Sequence, residues 1–390
     1  TNQFNLQPFT IDLSSEIPRL NSLVNNTRLP SQDFFPQVGV SDGIPLETLE
    51  QLKNEWVTSF DWGRRRRRLL RFSHFTAQIE GLTVHFIHEK SADPDAIPII
   101  LLHGWPGSFQ EFLPIIKPLT EPYANSTTGK NVSYNVVVPS LPGFDFSSLP
   151  TDLDWSTSDT ARVFNTLMTE VLGYKTYTLH GTPGLVIGYD LYANYNTTLR
   201  AAHFVFLPFV PPTMQEMTDA GVKLPSDELV TENLYLTWST MGNAYFVEQA
   251  FRPKTLGLAL YDSPVGQLSW QGWLWKNMSD PRAGTPPSQL DDNCILTSIS
   301  LFYLTNTFYS SLWIYEQDPG ALNPVYAKPQ TDAPMFFSQF EYNTLFWPEE
   351  WVAKVGNLEW YRFHDFGGHW AGWDNPPALI QDIRDMGLSL

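Results

Sequence analysis

The sequence predicts an α/β protein: a doubly wound, mostly parallel sheet with an inserted helical cap and an N-terminal lead segment. Three observations carry that prediction. Apolar runs alternate with helical patterns between residues 96 and 210. Runs such as Ile97 to Leu102 have no polar face, as expected of strands buried on both sides of a parallel sheet. Between residues 211 and 333 the alternation gives way to aromatic-rich helical stretches, and strand patterns resume at residue 334. Strands alternating with helices require crossovers packed on both faces of the sheet.

The elements follow in order. Residues 1–95 form the lead segment and the first strands. Within it, Pro45 to Phe60 has apolar residues at helical spacing with acidic residues early. An arginine run, Arg64 to Arg68 with Arg71, reads as one helix face with local ion pairs in an acidic chain, the alternative being an anion or nucleic-acid patch. Thr76 to His88 alternates like a hairpin turning at Gly81. Residues 96–210 hold the first part of the core. Its strands are Ile97 to His103, Asn135 to Pro139, Lys175 to His180 and Ala201 to Phe209, with a helix from Ser156 to Leu172 and another from Gly184. The cap, 211–333, contains helical stretches at Asn233 to Phe251 and Asn293 to Tyr315. Residues 334–390 complete the core with strands at Pro334 to Phe340 and Leu358 to Phe363, then a helix from Pro376 to Met386.

Composition bounds the function. With 42% hydrophobic residues, 14 Trp and 26 Phe, the 390-residue chain can fill a large core, which excludes wholesale disorder. Its 24 basic and 41 acidic residues give a net charge of −17. That charge argues against general binding of nucleic acid or anionic membrane. No apolar run approaches the ~18 residues of a membrane-spanning helix. The single cysteine, Cys294, excludes an internal disulfide and a cysteine-based zinc site. Five sequons, at Asn25, Asn125, Asn131, Asn196 and Asn277, predict glycosylation and secretion. The first residue, Thr1, fits a chain whose signal peptide has been removed.

Four segments carry chemistry. HGWPGSFQEF (103–112) follows a buried strand, and VVPSLPGFDFS (137–147) follows another. A strand-turn-helix spans 178–188, and FGGHWAGWDNPPAL lies near the C-terminus. With the cap segments at 244–270 and 298–317, these make the chain resemble the microsomal-type epoxide hydrolases of the α/β-hydrolase fold, from about residue 28 onward. The resemblance implies an Asp nucleophile that opens an epoxide. It also implies a His–acid pair that hydrolyses the resulting ester, and two cap tyrosines that hold the epoxide oxygen. The tyrosines match Tyr245 and Tyr315, and the base matches His369. The oxyanion loop matches His103, Gly104, Trp105 and Pro106.

Two positions depart from the family pattern. Where the family has the nucleophile, Gly-Gly-Asp-X-Gly-Ser, this chain reads Gly181-Thr182-Pro183-Gly184-Leu185-Val186, which puts Pro183 at the Asp position. A proline has no carboxylate, and its φ is fixed near about −65°. Where the family has the acid, Asn343 stands, with Glu341 two residues away as a substitute. An amide can orient a neutral imidazole but cannot stabilise an imidazolium as a carboxylate does. Thr182, His180 and Asp190 are further substitutes, each with a structural reading: a turn residue, a buried histidine, and a helix residue two turns from the loop.

The expectation is a divergent member that forms no covalent ester. Tyr245 and Tyr315 would polarise an apolar, natural-product-type substrate while His369, with Asn343, moves a proton; the outcome would be isomerisation, cyclisation or pericyclic ring closure. Trp105, His103, Thr182 and Pro183 would line the substrate site. One alternative is an epoxide hydrolase in which His369 activates water directly. Another is a non-catalytic relative that binds a hydrophobic ligand. No metal or organic cofactor is implied, and the resemblance allows a homodimer.

Overall fold

The computed structural model describes residues 3–126, 129–182, 186–224, 238–318 and 321–390. A nine-stranded sheet forms the centre. Its strands are β1 (Gln7–Pro8), β2 (His74–Ile79), β3 (Leu82–Glu89), β4 (Ile97–Leu102), β5 (Tyr134–Pro139), β6 (Tyr177–Gly181), β7 (Leu199–Phe204), β8 (Pro334–Tyr342) and β9 (Asn357–Gly368). In space the order is β1-β2-β3-β5-β4-β6-β7-β8-β9. The six strands from β5 to β9 across the sheet pair in parallel, while β1, β2 and β3 add an antiparallel edge. This is the doubly wound, mostly parallel sheet that the alternating pattern predicts, in the α/β-hydrolase arrangement that the resemblance implies.

Local chemistry explains the elements. Ile99 to Leu102 of β4 are buried, because helices cover both faces of the sheet there. The hairpin β2–β3 turns at Gly81, whose φ of 84° suits a residue without Cβ. The arginine run forms a helix, Trp62–Leu69, capped by Asp61, whose side chain accepts the Arg64 N–H at 3.0 Å. The expected local ion pairs do not form. Among the described residues none of Arg64 to Arg68 pairs with a carboxylate, and Arg66 instead donates to Ile11 O at 2.6 Å. Helix Thr157–Thr166 opens with a capping box between Ser156 and Asp159.

The cap differs most from expectation. The stretch from Asn293 to Tyr315 is three pieces: Asp292–Leu304, Phe308–Ser311 and a 3₁₀ turn Leu312–Tyr315. Asn306, at φ 58°, breaks it, since asparagine tolerates the left-handed region that ends helices. Residues 233–237 of the other expected cap helix lie outside the described residues; beyond them come a π-turn, Trp238–Gly242, and the helix Ala244–Phe251. That helix packs on the turn Leu312–Tyr315, which brings the two cap tyrosines together. No helix among the described residues is long and apolar enough to cross a membrane.

Candidate functional site

The loops that follow the parallel strands converge beneath the cap, where ligands of open α/β sheets bind. Trp105 follows β4, Phe206 follows β7, Asn343 and Thr344 follow β8, and His369 follows β9. Trp105, Phe206, Thr344 and His369 line a cavity with Tyr245, Phe246 and Tyr315 from the cap. Its volume is about 30 Å³. Ordinary ligand pockets hold roughly 300–1,000 Å³, so an organic substrate enters only if the cap aromatics move. A larger cleft of about 660 Å³ lies among Arg65, Arg68, Arg71 and Lys117, but no histidine or tyrosine lines it.

Backbone geometry sets His369. Gly367 has φ 115°, a conformation other residues rarely adopt. A Cβ on Gly368 would lie 2.6 Å from Met278 O, the same oxygen that accepts the His369 N–H at 2.9 Å. The paired glycines therefore let the loop press against the cap and deliver the imidazole.

The tautomer of His369 follows from its partner. Asn343 Nδ2 donates to Val205 O at 2.7 Å, and Asn343 Oδ1 accepts the Thr344 N–H at 2.9 Å. These bonds fix which way the amide points, so the atom 2.9 Å from His369 Nδ1 is an acceptor. Nδ1 carries the proton and Nε2 is left as the base. Burial pushes the imidazole down to about 3, so it stays neutral. Replacing Asn343 with Asp is expected to raise that pKa by several units, at the cost of the bond to Val205 O (about 1–3 kcal/mol). An NMR titration of His369 in wild type and Asn343→Asp measures the shift; equal pKa values would contradict this placement.

Tyr245 and Tyr315 form one unit with Trp105. The Trp105 and Tyr245 rings stack at 5.7 Å, and the Tyr245 and Tyr315 rings lie 6.0 Å apart. The Tyr315 hydroxyl donates to Trp105 O at 3.3 Å, and Trp105 Nε1 donates to Ser311 Oγ at 3.2 Å. Burial raises both phenol pKa values, that of Tyr315 the more, helped by Tyr245 and Asp318. The hydroxyls are thus neutral hydrogen-bond donors.

Several expected site residues lie elsewhere. His103 faces backbone: Nδ1 lies 2.9 Å from Gly104 O, and Nε2 accepts the Leu141 N–H at 3.2 Å. It shapes the loop and does not line the cavity of His369. The Thr182 hydroxyl donates to Leu102 O at 2.9 Å, at the end of β6, and Thr182 does not line the cavity of His369. Pro183 lies outside the described residues. Among the substitutes, His180 is buried against His203, 2.9 Å between their Nδ1 atoms. Asp190 accepts a bond from Ser158 on the neighbouring helix. Glu341 does not line the cavity, and Asn343 takes the histidine partnership instead. The residue that the sequence reading missed is Asp318, a buried carboxylate in the cavity wall. Its one signal was its place three residues after Tyr315.

Comparison with known proteins agrees with this architecture. The family model described as "Epoxide hydrolase N terminus" matches residues 6–112, and that of the alpha/beta hydrolase fold matches 97–182. A protein of Stigmatella aurantiaca, provisionally named an epoxide hydrolase, is 33% identical over 388 residues, covering 97% of this chain and 84% of its own length. Epoxide hydrolase 1 of Sus scrofa is 30% identical over 410 residues, covering 98% and 89%. The structure of the Aspergillus niger epoxide hydrolase superposes with a TM-score of 0.81 at 30% identity, over 98% of this chain and 96% of that one.

Proposed function

The chain belongs to the epoxide hydrolase family, and on that premise we propose that it rearranges an apolar small molecule without forming an enzyme ester. Tyr245 and Tyr315 donate to an epoxide or carbonyl oxygen from the cap, while neutral His369 moves a proton from the sheet side. The products are an isomer or a closed ring. One observation carries the reading: two tyrosine hydroxyls and an imidazole meet in one cavity, and the imidazole's partner is the amide of Asn343. Pro183, at the position of the family's nucleophile, supports it.

Positioning alone can lower a barrier by up to about 7–11 kcal/mol when reacting groups are held in register. Hydrogen bonds aimed at developing oxyanion charge add to that in a buried site. The rival reading, direct attack by water activated at His369 Nε2, has the same base available. The two differ in the product. The test is incubation with a panel of apolar epoxides in oxygen-18 water, with products read by mass spectrometry. The expected product has the mass of the substrate and no label. A labelled diol would overturn the proposal in favour of direct hydrolysis.

The five sequons support a second proposal, that the protein enters the secretory pathway. Asn25, Asn131 and Asn196 are exposed, as sequon asparagines must be, whereas Asn125 and Asn277 are half-buried. Glycosidase treatment of the secreted chain, with a fall in mass, tests this.

A further inference from the structure

Asp318 lines the same cavity as Tyr245, Tyr315, Thr344 and His369, and is only 3% exposed. Its position is built from two sides. Its backbone N–H donates to Tyr315 O at 3.4 Å, so it continues the turn that ends in the tyrosine. Its Oδ2 accepts the Val186 N–H at 3.4 Å, at the start of helix Val186–Asn194. The carboxylate therefore sits where the cap segment carrying Tyr315 meets the helix that leaves β6. Its charge also acts on the Tyr315 hydroxyl, helping burial to keep that phenol protonated.

Asp318 shares its cavity with both tyrosines, and its Oδ2 sits at the start of the helix that leaves β6. A substrate whose oxygen is held by the tyrosine hydroxyls therefore has a buried carboxylate beside it. A carboxylate is too weak a base for an unactivated C–H, but it can take a hydrogen that a neighbouring carbonyl acidifies.

We propose that Asp318 is the catalytic base of an isomerisation that converts apolar epoxides with an acidified neighbouring C–H, as in β,γ-epoxy ketones, into allylic alcohols. The C–H proton goes to the Asp318 carboxylate, and the C–H electron pair becomes the C=C bond. The adjacent C–O bond breaks, with its pair going to oxygen. The oxygen takes the proton of Tyr245 or Tyr315, and the phenolate recovers a proton from Asp318. Product and substrate have the same formula, and neither water nor an oxidant is consumed. This rests on the non-hydrolytic reading and gives its proton transfer to Asp318 in place of His369.

The test uses the full chain with 3,4-epoxycyclohexanone in oxygen-18 water. Formation of the hydroxy enone above the buffer rate is followed by its absorbance, and label by mass spectrometry. Wild type is expected to make unlabelled hydroxy enone. Asp318→Asn, which keeps an acceptor for Val186, is expected to lower kcat/KM by roughly 10²–10⁴-fold, the span of general base catalysis. Asp318→Glu is expected to recover part of that loss with KM little changed. Thermal melts establish that both variants fold. If wild type gives the unlabelled isomer and Asp318→Asn stays within threefold of it, the assignment of Asp318 fails and the non-hydrolytic reading stands. If wild type gives labelled diol, the non-hydrolytic reading itself fails. No product above buffer overturns the assignment and its substrate class together.

Discussion

Replacing Tyr245 and Tyr315 together by phenylalanine is expected to reduce kcat/KM by about 10³-fold or more, and each single change by about 10²-fold. The reason is that both hydroxyls are buried neutral donors in the wall of the cavity. Their contribution appears as charge develops on the substrate oxygen, so kcat should fall more than KM rises. The two losses should not add, because the rings lie 6.0 Å apart and act as a unit. The structural cost is modest. Tyr315→Phe removes the hydrogen bond to Trp105 O and the one with the Tyr245 hydroxyl, each worth about 1 kcal/mol, and leaves the ring contacts in place. Circular dichroism melts separate this small loss from the kinetic one. A double variant that retains a tenth or more of wild-type kcat/KM would show that the tyrosines are ordinary core aromatics.

Acidification is expected to unfold the protein over a defined range. Seven of the eight histidines are held below their ordinary value of 6.5, chiefly by burial. Between about pH 6.5 and 4 the unfolded chain binds protons there that the native chain refuses. The unfolded state then carries more protons, so stability falls as pH falls. His103 and His203, both buried and both at about 4, contribute on the order of 3 kcal/mol each. His180 and His203 touch, so their contributions are not independent.

Three buried carboxyls act in the opposite sense. Burial raises Asp145 to about 7, Asp374 to about 8 and Glu111 well above its ordinary value. These groups bind protons in the native state that the unfolded chain lacks, so they favour folding as pH falls and oppose it above about pH 7. Seven imidazoles against these three carboxyls and the half-buried Asp190, also raised by burial, leave a net loss on acidification. Below pH 4 the loss deepens as Asp382, held at about 2 by His364 and its other partners against the cost of burial, takes up its proton. Stability should therefore peak near neutral pH. Thermal melts from pH 8 to 4 check this. A Tm that is flat or rises from pH 6.5 to 4 would contradict the burial of these imidazoles as neutral groups.

Much of the fold was legible because buried parallel strands announce themselves. The run Ile97-Pro-Ile-Ile-Leu-Leu could be little else, and it is β4. The pattern gave less where geometry, not hydrophobicity, decides. β1 is two residues long, and the hairpin Tyr123–Ala124 with Asn131–Val132 is no longer, so neither has a period to read. The cap helix at 293–315 was drawn unbroken because its apolar residues continue past Asn306, where one backbone angle ends the helix.

The site divides in the same way. His369 and Trp105 were legible because glycines and prolines fix their loops in recognisable motifs, and Asn343 through the position of the family's acid. His103 and Thr182 misled, since a motif residue can serve its loop instead of the ligand: both are spent on backbone bonds. Asp318 was missed because it sits in a polar turn with no period or motif, and only the packing of the cap aims it at the cavity. The raised pKa values of the tyrosines are likewise a consequence of burial, which sequence spacing does not contain.

The most direct test of the central claim is the mass of the protein itself. An excess of enzyme is reacted with a turned-over epoxide in oxygen-18 water, quenched in acid within one turnover, and weighed intact and as peptides. The account predicts an unmodified chain at every time point and no oxygen-18 in any carboxylate, because no enzyme ester forms. A transient mass increase equal to the substrate, followed by label in an aspartate or glutamate, would mean a covalent nucleophile exists and would contradict the account.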